Sequence, residues 1–281
     1  MASIKDKLLA IGAALAYPQV RLKPAITKEH FSGKWVLVTG ASHGIGRALT
    51  EKLIDADANV FLIARSEAEL QCLCDRAKQR GNRADYCAID LRDREKLELL
   101  CQKLKETLPQ LDYFFCNAGK SIHRKITDAL DRLHDYDRTI DLNYRALVAL
   151  SLTLLPALKA SKGSIIYSSS VSTRYPMAPG WSAYHASKCA ANTWCETANS
   201  EFAPLGIRVQ IAYLPLVHTA MSDVNERYRQ LPAYYPADAA NILLRLAIRK
   251  GKRYQPWWAK LSAPIAYLFA PIVHLFYKRM V

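Results

Sequence analysis

From residue 241 to the end the chain has no aspartate or glutamate, against eight lysines and arginines. Residues 1–34 hold two acids and six bases, so the two ends together carry +12 of a net charge of +14 and the long middle only +2. A nucleic-acid-binding domain spreads its basic surface over the folded body, whereas basic ends beside apolar runs point to an anionic membrane surface. Nucleic acid is therefore not expected as a partner.

Long uninterrupted apolar runs are missing too. The C-terminal run from Leu261 to Tyr277 is broken by Pro264 and Pro271, and the N-terminal one extends only from Leu8 to Tyr17. A membrane-crossing helix takes about 20 apolar residues, so interfacial or hairpin-like insertion is expected rather than a span. Trp257, Trp258 and Tyr267 suit the headgroup level. The competing reading packs the C-terminal run on the protein's own surface or on a partner subunit. Ala14-Leu15-Ala16 imitates a secretory cleavage site, but the chain beyond it reads as a cytosolic cofactor-binding enzyme. The N-terminal run is then an uncleaved amphipathic anchor, and the expected location is the cytoplasmic face of a membrane, peripheral or monotopic.

Metal-ligand spacing, repeats and low-complexity segments are likewise lacking. The seven cysteines (Cys72, Cys74, Cys87, Cys101, Cys116, Cys189, Cys195) are odd in number and scattered, which argues against a disulfide scaffold and for a reducing compartment. They read as core filler, and no metal is expected. With 281 residues, 51% of them hydrophobic, the chain can bury one large core in a single domain.

What is present is an alternation of short apolar runs with amphipathic segments. "KWVLVTG", "NVFLIAR", "ADYCAIDL", "LDYFFCNAG", "SIIYSSS" and "IRVQIAYLP" read as strands. Between them "IGRALTEKLIDAD", residues 66–80, residues 93–108, a long region over 131–160 and the segment around Tyr184 read as helices. Repeated units of this length imply an α/β domain with a doubly wound parallel sheet, whose ligands bind at the carboxyl ends of the strands where strand order reverses.

The first strand runs straight into "TGASHGIG" and then a helix. Gly40, Gly44 and Gly46 allow a tight turn, close backbone approach to a pyrophosphate and close helix packing, and Ser42, His43 and Ile45 complete the cradle at the helix N-terminus. At the end of the second strand an enzyme for NAD would place an acid, but Arg65 and Ser66 stand there, groups suited to a 2′-phosphate. NADP(H) is the expected cofactor. Asp90 and Leu91, ending the third strand, are placed to meet its adenine.

Tyr184 and Lys188 are four residues apart in "YHASK", a spacing that puts both side chains on one helix face, where an ammonium can act on a phenol. "TGASHGIG", "CNAG" at 116–119, "LNY" around Asn143, "YSSSV" at 167–171 and "YHASK", in that order on alternating elements, make the chain resemble the short-chain dehydrogenase/reductase family over about residues 33–250. The resemblance implies a Rossmann-type catalytic domain at 33–250, and the charge and apolar runs of the ends add an amphipathic extension at 1–32 and a membrane-associating segment at 251–281.

It also implies roles. Tyr184 is the acid that protonates the oxygen of a reduced carbonyl; Lys188 lowers its pKa and holds the nicotinamide ribose. Ser170, or failing that Ser169, hydrogen-bonds the carbonyl, and Asn143 anchors a water beside the lysine. Asn117, Ala118 and Gly119 contact the cofactor, although Cys116 replaces the first of the family's paired asparagines. Pro215 is followed by Leu216 where a glycine is usual, with Thr219 in reach of the carboxamide. Faces such as Ala190, Ala191, Trp194 and Ala198 pair in family members, so a homodimer or homotetramer is implied.

"NAGKSIHRKITDALDRLHDYDRTIDLNY" and "LPLVHTAM" are further similar to a branch that includes long-chain fatty acyl-CoA reductases. The expected reaction is NADPH-dependent reduction of a long-chain lipid carbonyl at a membrane surface. An acyl thioester reduced to aldehyde ranks first, a 3-keto lipid such as 3-ketosphinganine second and a steroid-like or retinoid-like ketone third. His123 and Arg124 are candidates to meet an anionic head. A non-catalytic NADP(H)-binding membrane adaptor is the alternative of another class.

Overall fold

Strands buried on both faces need no polar alternation, and the apolar runs behave accordingly. In the computed structural model, which describes residues 12–280 apart from Asn225, they form β1 (Trp35–Thr39), β2 (Asn59–Ala64), β3 (Ala84–Ala88), β4 (Tyr113–Cys116), β5 (Ser164–Ser170) and β6 (Arg208–Leu214). A two-residue β7 (Arg253–Tyr254) adds an edge that the sequence pattern does not announce. All neighbouring strands are parallel, in the order β3-β2-β1-β4-β5-β6-β7. Strand order reverses between β1 and β4, and there the carboxyl ends open a crevice.

The helices are α1 (Pro24–Phe31), α2 (Gly44–Asp55), α3 (Glu67–Gln79), α4 (Arg94–Thr107), α5 (Leu133–Ile140), α6 (Ala146–Ser161), α7 (Ser182–Phe202), α8 (Glu226–Arg229), α9 (Pro236–Arg249), α10 (Trp257–Leu268) and α11 (Ala270–Met280). Successive strand residues point to opposite faces, so Val36 and Val38 of β1 join the layer built with Leu49 of α2, Leu70 of α3 and Leu243 of α9. Leu37 faces the other layer, with Leu97 of α4, Leu147 of α6 and Cys195 of α7. The two layers sandwich the sheet and make it rigid.

The helical region expected over 131–160 is interrupted. Asp141–Arg145 forms a π-helical turn between α5 and α6. Its cause is Asn143, whose amide donates to Lys120 O (2.9 Å) while its Oδ1 accepts from Lys120 N–H (2.8 Å), drawing the helix toward the loop after β4. The cysteine expectation also needs correction: Cys74, Cys116 and Cys195 are buried, but Cys72 is exposed on α3.

The described part of the N-terminal extension lies against the C-terminal part of the chain. Phe31 of α1 is fully buried against Tyr113 and Phe115, and Val20 O accepts from Asn241 Nδ2 at 2.6 Å. Trp257 and Trp258 donate their indole N–H groups to Leu15 O (2.9 Å) and Ala16 O (3.0 Å), so these donors are spent on backbone carbonyls. Helices α10 and α11 meet at 85°. Among the described residues no single helix is long and apolar enough to cross a membrane; only this bent pair is, by length and composition.

Candidate active site

The turn after β1 fits a dinucleotide pyrophosphate. Gly40 has φ +69°, and a Cβ there would stand 3.0 Å from Ala118 Cα; a Cβ on Gly46 would collide with the Gly40 carbonyl. No side chain caps the N-terminus of α2, which leaves its first N–H groups pointing into the turn. His43 is exposed and its Nδ1 lies 2.9 Å from the buried Ser42 Oγ; Ile45 is half-buried beside them. Gly44, at φ +54°, faces Thr219 Cγ2 across a gap that an added Cβ would narrow to 3.3 Å, so the segment after Pro215 lies against the turn.

Beyond β2, Arg65 is exposed, with no ion-pair partner among the described residues, and Ser66 opens α3 without using its hydroxyl as a cap. Asp90 is already engaged. Arg92 donates to it through Nε at 2.9 Å, and that guanidinium, helped by Arg65, holds the Asp90 carboxyl below the usual carboxylate range. Leu91 is buried in the second core layer. Arg92 was not signalled by the sequence pattern, because its role depends on a fold-back onto Asp90 two residues away.

At the switch point, Thr39 Oγ1 accepts from the N–H groups of Asn117 and Ala118, both at 3.1 Å, which locks the end of β1 to the end of β4. A Cβ on Gly119 would crowd Asn143 Oδ1 (3.3 Å) and Lys188 Nζ (3.4 Å), so the glycine lets both side chains approach. Asn143 also donates to Ser187 Oγ at 2.9 Å.

The structure chooses between the two serines. Ser169 spends its hydroxyl on Asn192 Oδ1 (2.6 Å) inside the protein, whereas Ser170 stands beside the Tyr184 phenol and acts on it electrostatically. Burial raises the Tyr184 phenol above its ordinary value, and Ser170 opposes that shift. The Lys188 ammonium donates to Ser168 O (2.8 Å) and lies 4.7 Å from the centre of the Tyr167 ring, and burial pushes Lys188 down to about 8. Cys116, where the family has asparagine, is fully enclosed and pushed up by burial to about 12, so it is an inert thiol.

His123 and Arg124 do not present a free anion site. Arg124 donates to the buried Asp135 at 3.1 Å, a carboxylate shared with Arg132, and His123 packs on Trp181 with ring centres 4.7 Å apart. Trp181 in turn stacks on Tyr228 (6.1 Å, 12°) and meets Tyr184 edge-on (5.9 Å, 64°). This aromatic wall over the phenol joins residues far apart in sequence, and no spacing signalled it.

A parallel doubly wound sheet with a glycine turn at its switch point and half-buried Ser170 and Tyr184 beside the buried Lys188 defines a nicotinamide-dinucleotide oxidoreductase. Residues 34–229 match the sequence profile of the short chain dehydrogenase family, and the chain belongs to that family. It is 34% identical over 251 residues to a fatty acyl-CoA reductase of Acinetobacter baylyi, covering 89% of this chain and 84% of that protein. It is 33% identical to a fatty acyl-CoA reductase of Mycobacterium tuberculosis, covering 85% and 82%. Among solved structures, a short-chain dehydrogenase from Streptomyces avermitilis superposes with a TM-score of 0.72 at 24% identity, over 86% of this chain and 96% of that one.

Proposed function

We propose that the protein is an NADPH-dependent reductase of long-chain lipid carbonyls, acting at the cytoplasmic face of a membrane, with a fatty acyl thioester reduced to aldehyde as first choice. The observation that carries the chemistry is the placement of Ser170 beside the Tyr184 phenol, one helical turn from the buried Lys188. The two relatives described as fatty acyl-CoA reductases support the substrate class. The unpaired Arg65 with Ser66, in place of an acid, supports a 2′-phosphate.

The nicotinamide, when bound, supplies the hydride. The chain supplies what that transfer needs. Gly40, Gly44, Gly46 and the bare N-terminus of α2 would hold the pyrophosphate, with Asn117, Ala118, Gly119 and Thr219 bordering it. Ser170 donates to the carbonyl oxygen, and Tyr184 gives its phenolic proton to the oxygen as charge develops there. Lys188 would hold the ribose of the bound dinucleotide with its ammonium, Asn143 fixes the loop after β4, and Trp181 with Tyr228 excludes water from the phenol. With a thioester, the resulting hemithioacetal releases the thiol to leave an aldehyde. A 3-keto lipid needs only the first step, so it is the second reading.

The membrane reading rests on α10 and α11. Leu261, Ile265, Leu268, Ile272, Leu275 and Phe276 are all more than half exposed on these helices, beside Lys260, Lys278 and Arg279. An apolar face of that size edged by cations and free of acids matches an anionic bilayer. The same helices grip the loop between Ser170 and Tyr184: Tyr175 Oη lies 2.6 Å from Ser262 Oγ, and Tyr267 and Tyr277 donate to the carbonyls of Tyr175 (3.2 Å) and Pro176 (3.3 Å). A lipid leaving the bilayer here arrives beside the aromatic wall.

The test is NADPH oxidation by detergent-solubilised protein with a long-chain acyl-CoA, a long-chain 3-keto lipid and a short soluble ketone, products identified by mass. Aldehyde from the thioester establishes the first reading, and turnover of the keto lipid alone moves the protein to the second. Reaction of the short ketone alone removes the functional support for the lipid reading, and no turnover at all favours an adaptor.

A further inference from the structure

We propose that Ser172 and His185 are positioning residues that set the direction in which the Ser170 hydroxyl donates. The inference rests on the catalytic reading of Ser170 and Tyr184 given above. Ser172 Oγ lies 2.8 Å from Ser170 Oγ, and His185 Nε2 lies 3.1 Å from Ser172 Oγ, so the three side chains form a continuous line ending at Ser170. His185 is 5% exposed and packs against the rings of both Trp181 and Tyr184.

The polarity of that line comes from counting hydrogens. A serine hydroxyl has one hydrogen and two lone pairs. Ser170 Oγ already accepts the Ser172 backbone N–H at 3.2 Å, and to serve a carbonyl oxygen it must aim its single hydrogen into the site. The Ser172 hydroxyl must then donate to Ser170, which leaves Ser172 only a lone pair for His185. Nε2 of His185 must therefore carry a hydrogen, and in a neutral imidazole Nδ1 then carries none.

The other ring nitrogen decides the matter. Nδ1 of His185 is buried and has no hydrogen-bond partner. An orphaned lone pair is cheaper to bury than an orphaned N–H, so the site itself selects the Nε2–H tautomer. Burial also holds the imidazole below its ordinary value, which keeps it neutral at neutral pH. In the reverse polarity Nδ1–H would be a buried donor without an acceptor, and Ser170 would point its hydrogen at Ser172, away from the substrate. The tautomer of a side chain that never touches the substrate thus orients one that does.

Two measurements test this. Long-range proton–nitrogen NMR of the imidazoles, assigned by comparison with His185→Leu, reads the tautomer without any substrate. The expected result is Nε2 protonated and Nδ1 bare; a protonated Nδ1 with a bare Nε2 overturns the proposal. The second is steady-state kinetics on the carbonyl that the wild type reduces fastest. Ser172→Ala and His185→Leu each lower kcat about tenfold, the worth of one net hydrogen bond, with KM and NADPH affinity unchanged. The double variant loses no more than either single one, because both cut the same line. His185→Gln, which keeps an N–H donor, restores most of the loss. Wild-type kcat in both single variants, a change confined to KM, or multiplying losses each overturn the proposal. Tyr184→Phe separates the two layers of inference: if it retains wild-type turnover the catalytic reading fails, and if it is dead while Ser172→Ala and His185→Leu match the wild type, only the positioning role fails.

Discussion

At the scale of single residues, function turns on protons and phosphates. Replacing Tyr184 with Phe removes the acid and leaves the aromatic packing; kcat is expected to fall by about 10²–10⁴-fold with NADPH affinity unchanged, measured by steady-state turnover and fluorescence titration. Burial has brought Lys188 down to about 8, so its ammonium is lost as pH rises through that value, before the raised Tyr184 phenol ionises. The plot of kcat/KM for reduction should therefore fall above about pH 8, and Lys188→Met should abolish that limb along with most of the activity. Folding is linked to the same group with the opposite sign. Between about pH 8 and 10.5 the unfolded chain holds the proton more tightly, so this lysine's contribution to stability improves as pH rises. Arg65→Ala should weaken NADPH about tenfold or more and leave NADH unaffected, since one charge-assisted contact to a phosphate is removed. Equal losses for both would show that Arg65 does not read the 2′-phosphate.

At the scale of elements, position is set by close approach. Gly46→Ala drives a methyl into the Gly40 carbonyl, so the turn must open, and dinucleotide binding should be lost while the fold persists; titration of NADPH fluorescence, with circular dichroism as control, checks both. The six longer strands are legible in the sequence because a strand covered on both faces is a short apolar run between turns. β7 is not, because two residues carry no period. The glycine turn and the Tyr184–Lys188 pair were legible because their chemistry is local, set within one turn of chain. The interruption at Asp141–Arg145 was not, since it depends on Asn143 reaching the backbone of Lys120, and neither was the wall of Trp181 and Tyr228, which only the packing of α8 against α7 brings together. Arg124 looked free in the sequence for the same reason: its partner, Asp135, is eleven residues away.

At the scale of the whole molecule, the described part of the N-terminal extension packs on the C-terminal segment, and the C-terminal helices reach the loop beside the active site. Phe31, fully buried between α1 and the sheet, ties the N-terminal extension to the core; Phe31→Ala should cost about 3–5 kcal/mol in urea unfolding. The charge asymmetry was plain from composition, but that the apolar C-terminal helices bend by 85° and grip Tyr175 was not, because it depends on tertiary contacts. Vesicles containing anionic lipid should float the protein, high salt should weaken that binding, and Leu268→Asp with Phe276→Asp should abolish it. Equal flotation with neutral vesicles and with the double variant would leave the C-terminal face without a membrane role.

The central claim is hydride transfer to a long-chain lipid carbonyl under proton control by Tyr184. It is tested most directly with NADPH deuterated at the transferred position and a long-chain acyl-CoA, the product being examined by mass spectrometry for wild type and Tyr184→Phe. The expected result is an aldehyde carrying one deuterium at the former carbonyl carbon for the wild type and no product above background for the variant. Undeuterated product, or equal deuteration by both proteins, would contradict it.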